Sequence, residues 1–266
     1  MGSFDMPIIQ SVARSLEILE LFDEHTRELS IKEISNKLDL HKSTVHSLLK
    51  TLMHYGYVKQ NAATSDYLLG WKLYERGNLV VSQLDLRSIA RVHLEELNEQ
   101  TNKTVHLVQL IGEDAVYIDK INGTGSLVVH SRIGKRVQLH SSAVGKVLAA
   151  HLDSKDFAKI FNGYEFVKRT PNSIESMEEF LEEIKRVRTE QFAIDNEENE
   201  EGIICFALPI RDYSRKVIAA VSISTPKAIF TEEIAERNKR YLRICVKHIS
   251  KELGFIESSN SERGLA

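Results

Sequence analysis

Acidic residues are missing from positions 40–65, although Asp and Glu (38) outnumber Lys and Arg (35) over the 266 residues. That stretch, LHKSTVHSLLKTLMHYGYVKQNAATS, holds Lys42, Lys50 and Lys59 beside His41, His46 and His54. A run without carboxylates suits contact with a polyanion, because a carboxylate in such an interface would oppose the phosphate contacts that supply most of the affinity. Cysteine is scarce: Cys205 and Cys245 alone exclude a disulfide framework and fit a reducing compartment. No apolar run reaches the roughly 18 residues of a membrane span. The opening MGSFDMPIIQ also lacks the basic and apolar regions of a secretory signal. A soluble cytoplasmic protein without a membrane partner is expected. Catalytic signatures are missing as well: there is no G-x-S-x-G elbow, H-E-x-x-H pair, Walker loop or C-x-x-C. His106, His130, His140 and His151 sit at no spacing that compels a metal site, and Gly123-Thr124-Gly125 reads as a turn, not a phosphate cradle. Neither an enzyme nor a cofactor is expected and no metal site is assigned, although scattered histidines with Asp195 leave a metal in the second domain open.

The chain contains 42% hydrophobic and 27% charged residues with a net charge of −3. That describes a globular protein, long enough for two domains, whose nucleic-acid contact must come from a local patch. A first helix is expected over 11–22, capped by Ser11, with Val12, Leu16, Leu19 and Phe22 at helical spacing. Ser30-Ile31-Lys32-Glu33 is a capping box that starts a second helix, with Ile31, Ile34 and Leu38 inward. After a break at Asp39-Leu40, a third helix runs from about Lys42 to about Tyr55. Val45, Leu48, Leu49 and Leu52 form its apolar stripe, and Gly56 is its stop. Two short runs, 57–60 and 67–69, flank a polar turn and read as a hairpin. Three helices with a tight turn before the third, closed by a hairpin, make a winged helix-turn-helix.

Positions 71–101 read as helical with an interruption at Gly77. Strand-like runs follow at 105–111, 115–121 and 127–130. Helices are expected at 142–152, from a capping box at Ser176-Met177-Glu178-Glu179 to about Gln191, and over 231–253. Apolar strand-length runs occupy 203–210 and 217–224. The order implies an antiparallel sheet with helices on its faces, an α+β (broadly α/β) fold. The polar tail after Ile256 is expected to be disordered.

On the third helix the apolar stripe leaves Lys42, Ser43, Thr44, Ser47 and Lys50 near the opposite side. Residues at the start of a recognition helix reach base edges, while later basic residues and the wing touch the backbone. Ser43, Thr44 and Ser47 are therefore candidates for base contact, and Lys42, Lys50 and the wing residue Lys59 for phosphate. Duplex operator DNA is the expected partner. The alternative is a small-molecule-binding protein whose winged helix makes protein contacts.

The segment LSIKEISNKLDLHKSTVHSLLKTLMHYGYV resembles the DNA-binding region of the IclR family of bacterial transcriptional regulators, and SVARSLEILELF is similar to that family's first helix. Two further stretches, GKRVQLHSSAVGKVLAAHL (134–152) and FAIDNEENEEGIICFALPIRDYSRKVIAAVSISTP (192–226), are similar to its effector domain. Ser47 stands where family members commonly carry Arg; an Arg could read guanine bidentately and Ser cannot. The resemblance implies a winged helix-turn-helix domain (1–70), a connecting helix (71–90), a GAF-like effector domain (91–256) and a tail (257–266). It also implies a homodimer formed through the N-terminal region and connecting helix, with dimers pairing through effector domains. A regulator of this kind, with repression the expected sense, would respond to a small carboxylate or sugar acid.

The residues themselves support part of an effector site. Ser142 precedes the small residues Ala143 and Val144, whose backbone amides at a helix start could take an acid group. Ser222 and Ser224 share one face of a strand by period two. The resemblance implies that the effector is bound near this helix start and by residues matching Asp195, Cys205, Ser222 and Ser224. Each keeps a plainer reading: Ser142 as a cap, Cys205 as core, Asp195 as the first residue of a solvated loop.

Overall fold

The computed structural model describes residues 8–23, 25–82, 85–124 and 131–257. The strand expected at 127–130 and the tail from 258 onward lie outside them. The chain divides into two compact units, Met1–Leu84 and Asp85–Ala266.

The first unit contains α1 (Gln10–Glu20), α2 (Ile31–Leu38), α3 (Lys42–His54), an antiparallel hairpin of β1 (Val58–Gln60) and β2 (Tyr67–Leu69), and α4 (Trp71–Ser82). The capping box forms as the sequence requires. Ser30 Oγ accepts from the Glu33 N–H at 3.3 Å, while Glu33 Oε2 accepts from the Ser30 N–H at 2.8 Å. Asp39 ends α2 in the left-handed region (φ 52°), so the chain turns sharply into α3. Gly56 (φ 77°) ends the third helix, and a Cβ on Gly70 would lie 2.1 Å from the Gly56 carbonyl oxygen. These two glycines let the base of the hairpin close onto the end of α3. Ile18, Phe22, Leu29, Ile34, Val45, Leu49, Val58 and Tyr67 fill the core between these elements.

Three expectations for this unit need correction. Ser11 does not cap α1; Ile9 holds that position without a side-chain hydrogen bond. Val12 and Leu16 also face outward, 53% and 58% exposed, whereas Ile18 is fully buried. The helix carries apolar residues on two faces, and spacing alone does not say which one the core takes. The interruption expected at Gly77 is absent too, because α4 continues through it. The next start signal is Asp85, whose carboxylate accepts from the Arg87 N–H at 3.2 Å and opens α5 (Leu86–Thr101).

Among the described residues, the second unit is built on a six-stranded antiparallel sheet ordered β5-β4-β3-β8-β7-β6. Its strands are β3 (Thr104–Ile111), β4 (Asp114–Ile121), β5 (Arg136–Val137), β6 (Ala193–Asn196), β7 (Ile203–Arg211) and β8 (Val217–Pro226). Helices α6 (Ala143–Ala150), α7 (Ser154–Phe161), α8 (Met177–Glu190) and α9 (Glu232–Glu252) complete it. Val108, Ala193, Ala207 and Ala220 point toward α6 and α8. The alternate residues Leu107, Phe206, Val221 and Ile223 are buried on the other face, where α5 and α9 lie. Helix α7 and the short strands β5 and β6 were not expected from the sequence. The box at Ser176 is only half formed: its hydroxyl accepts from the Glu179 N–H, but Glu179 Oε2 accepts from the Glu175 N–H instead of that of Ser176. Among the described residues, no helix is long and apolar enough to cross a membrane.

Candidate functional sites: a cationic helix face and an interior cleft

Helix α3 buries Val45, Leu49 and Leu52 and presents Lys42, Ser43, Ser47 and Lys50 to solvent, with Thr44 half-buried among them. Lys59 is exposed on β1. The first turn of α3 holds no acidic residue and its N-cap, His41, makes no side-chain cap. The positive end of the helix dipole is thus open to an external anion such as a phosphate. Ser47 donates its hydroxyl proton to the Ser43 carbonyl at 3.0 Å, and Thr51 donates likewise to Ser47 at 3.1 Å. With those protons turned back onto the helix, the outward lone pairs offer acceptors. His46 and His54 are exposed beside this face.

The second unit holds a small cleft between the start of α6 and the sheet. All seven residues singled out from the sequence line it: Ser142, Ala143, Val144, Asp195, Cys205, Ser222 and Ser224. Strand register explains the convergence. Asp195 pairs with Cys205 and Cys205 with Ser224, while Ser222 pairs with His106 in the adjoining row. Period two aims these side chains at α6, and the small residues Ala193, Ala207 and Ala220 around them leave space below the helix. Cys205 Sγ and Ser224 Oγ are 3.1 Å apart.

At the helix start, Ser142 Oγ accepts from the Gly145 N–H at 3.0 Å and the Ser142 carbonyl from that of Lys146 at 2.9 Å. The amides of Ala143 and Val144, by contrast, have no hydrogen-bond partner among the described residues. The helix can sit this close to the preceding loop only because Gly145 has no side chain. A Cβ there would lie 2.4 Å from the Gln138 carbonyl oxygen and 2.6 Å from the Leu139 Cα. Gly145→Ala should therefore displace the α6 start and lower stability by about 1–3 kcal/mol, as overpacking does, readable as a shift of the denaturant midpoint. An unchanged midpoint would mean the loop yields freely.

Several lining residues escape a reading of sequence alone. His106 and Tyr117 reach the cleft from β3 and β4, and Asn199 and Glu200 from the turn after β6. His106 occupies an even position of a strand, which is its only sequence signal. Burial, with the Lys120 charge, pushes its pKa down to about 3, so it is a neutral hydrogen-bonding group, 2.7 Å from Ser131 Oγ. Burial likewise raises the Tyr117 hydroxyl and the Cys205 thiol, keeping both protonated. Asp195 is 3% exposed and lies on a strand, not in the solvated loop that its acidic neighbours suggested. Its Oδ1 accepts from the Glu198 and Asn199 N–H groups at 2.7 and 3.2 Å. Burial, then the Glu198 carboxylate, raises its pKa to about 7. Behind the cleft, Lys146 is buried at 1% exposure and pairs with Glu198 (2.7 Å) and Glu183 (2.9 Å), joining α6, α8 and the turn after β6.

A winged helix-turn-helix with a clean cationic face, joined to a separate sheet unit, defines a DNA-binding transcriptional regulator. Comparison with known proteins specifies the kind. Residues 11–62 match the IclR helix-turn-helix domain, and residues 78–251 match the bacterial transcriptional regulator IclR C-terminal domain. The chain is similar to the HTH-type transcriptional regulator XynR of Escherichia coli K12, 45% identical over 83% of this chain and 87% of that protein. It is also similar to the HTH-type transcriptional regulator KdgR of the same organism, 37% identical over 93% and 94%. Among solved structures, the Agobacterium tumefaciens repressor BlcR aligns at a TM-score of 0.77 and 27% identity, covering 93% of this chain and 98% of that one. The chain belongs to the IclR family of transcriptional regulators, which are DNA-binding proteins and not enzymes.

Proposed function

We propose that the protein is a cytoplasmic repressor whose hold on operator DNA changes when a small carboxylate or sugar acid enters the cleft of the second unit. One observation carries this reading: the amides of Ala143 and Val144, unpaired among the described residues, lie at the edge of the same cleft that Asp195, Ser222 and Ser224 line. The amides of Ala143 and Val144 take the acid group, while Asp195, Ser222, Ser224 and the Cys205 thiol meet the hydroxyls of the remaining chain. On the DNA side, Ser43, Thr44 and Ser47 contact base edges, and Lys42, Lys50 and Lys59 contact phosphates. Two-fold operators call for two heads, so the working form is a homodimer, with dimers pairing further. The outward apolar residues Ile9, Val12 and Leu16 of the α1 region support self-association of the first unit. Domain limits of 1–70 for the DNA-binding head and 91–256 for the effector domain, joined by 71–90, are part of this proposal.

A thermal-shift screen of sugar acids and other small carboxylates against the full chain tests the ligand class, since a tight ligand raises the melting temperature. Hits should also change operator retention, and neutral sugars of the same length should do neither. If only neutral compounds stabilise the protein, the acid reading fails. For DNA, Lys42→Ala and Lys50→Ala should each weaken binding to all sequences and reduce the salt slope by about 1. Substitutions at Ser43 or Thr44 should instead alter operator preference. A salt slope untouched in both Lys variants would remove the phosphate contacts from the account.

A further inference from the structure

On the α5–α9 face of the second unit, four side chains far apart in sequence meet. His93 and Glu96 lie one turn apart on α5, and His248 and Glu252 one turn apart on α9. One donor atom from each of His93, Glu96 and His248 falls within 4.8 Å of the others. The rings of His93 and His248 have centroids 5.5 Å apart. His93 Nε2 lies 2.7 Å from Glu252 Oε1, a distance that puts the ring proton on Nε2, donated to the carboxylate. In the neutral imidazole the lone pair is then left on Nδ1. That atom is buried without a hydrogen-bond partner, and it faces Glu96 Oε2 at 3.6 Å, beyond hydrogen-bond reach. An acceptor opposite an acceptor, with a second imidazole beside them, is the arrangement that a cation between the groups would satisfy.

We propose that His93, Glu96 and His248 bind a divalent late transition-metal ion of the zinc class, with Glu252 orienting His93. Two imidazoles and a carboxylate are the donor set that zinc-type ions take, and open positions remain for water. A carboxylate on the far nitrogen of a ligating histidine is the usual orienting partner in such centres and raises the basicity of the ligating nitrogen. Because the ligands come from the first and last helices of the unit, the ion clips α5 to α9. The site is distinct from the effector cleft, which lies beneath α6 on the opposite face of the sheet. Spacing could not disclose it: each helix supplies only two of the four groups, and His93 and Glu252 are 159 residues apart.

Zinc titrated calorimetrically into the chelator-treated full chain tests the assignment, with the melting temperature followed in parallel. The expected result is uptake of one ion per chain with a rise in melting temperature. His248→Ala and Glu96→Gln both change exposed residues and so spare the fold. Each should weaken uptake by roughly tenfold or more and abolish the rise. His54→Ala, on the first unit, should leave uptake unchanged. Absence of stoichiometric uptake by the unaltered protein, or undiminished uptake in both the His248 and Glu96 variants, would overturn the assignment. Effector-induced stabilisation should persist in His248→Ala, so failure here leaves the cleft reading untouched, and failure of the cleft reading leaves this one standing.

Discussion

Lys146→Ala should destabilise the second unit by about 3–5 kcal/mol, the usual result of removing one partner from a buried ion pair. The ammonium is almost fully enclosed and holds both oxygens of Glu198, at 2.7 and 2.8 Å, together with Glu183 at 2.9 Å. Its loss does not strand the two carboxylates equally. Glu183 keeps Arg186, whose Nη2 lies 2.8 Å away, whereas Glu198 is left in a half-dry setting without its cation. Burial already raises the pKa of Glu198 against the opposing pull of Lys146, so the variant should drive it further toward the neutral acid. Adding Glu198→Gln to Lys146→Ala should therefore recover a large part of the loss, since it removes the stranded charge. Denaturant midpoints of the two single variants and the double variant supply the cycle. A loss under about 1 kcal/mol for Lys146→Ala would show that water reaches the site and that the triad is not a structural clamp.

The triad also marks where sequence reading stopped. Ser30, Ser142 and Thr231 announce their helices through local chemistry, and each caps one in the structure; Asp85, which caps α5, was hidden inside a run read as helical. The hairpin and the face of α3 follow from period and turn residues, which act over a few positions. Residues of the cleft were legible only in part. Ser222 and Ser224 share a face by alternation, but which residues stand opposite them depends on register between strands distant in sequence. His106 meets Ser222, and Asp195 meets Cys205, through pairings that no local rule specifies. Lys146 illustrates the difficulty well. An isolated lysine in an apolar helix reads as a residue reaching for solvent, and only the fold reveals two glutamates converging on it from α8 and the turn after β6. Val12 and Leu16 err in the other direction. They keep perfect helical spacing, yet the face they mark is outside the unit's core, consistent with an apolar surface reserved for another chain.

Asp195→Asn should stabilise the free protein at alkaline pH while abolishing its response to effector. The carboxyl is held at about 7 in the folded chain, against 3.8 for an unperturbed aspartic acid. Below 3.8 both folded and unfolded chains carry the proton, so the group contributes nothing to the difference between them. Between 3.8 and about 7 the unfolded chain releases a proton that the folded chain retains, and stability falls as pH rises. Above 7 the folded chain carries the full burden of a buried carboxylate, on the order of 4 kcal/mol at 1.36 kcal/mol per tenfold. Asparagine removes that burden and keeps an oxygen to accept from the Glu198 and Asn199 amides that now hold Oδ1. The gain from the substitution should thus be near zero at pH 4, grow through pH 7 and level off above it, as read from denaturant midpoints across that range. A gain independent of pH would mean that Asp195 is ionised throughout and that its burial is not what sets its chemistry. A residue that lowers stability at its working pH is retained for something other than folding. On the proposed reading the ionised acid would accept hydrogen bonds from ligand hydroxyls, and an amide, with a donor in place of one acceptor, would lose one of them. Operator retention by Asp195→Asn should match the unaltered protein in the absence of effector and stay at that level when effector is added.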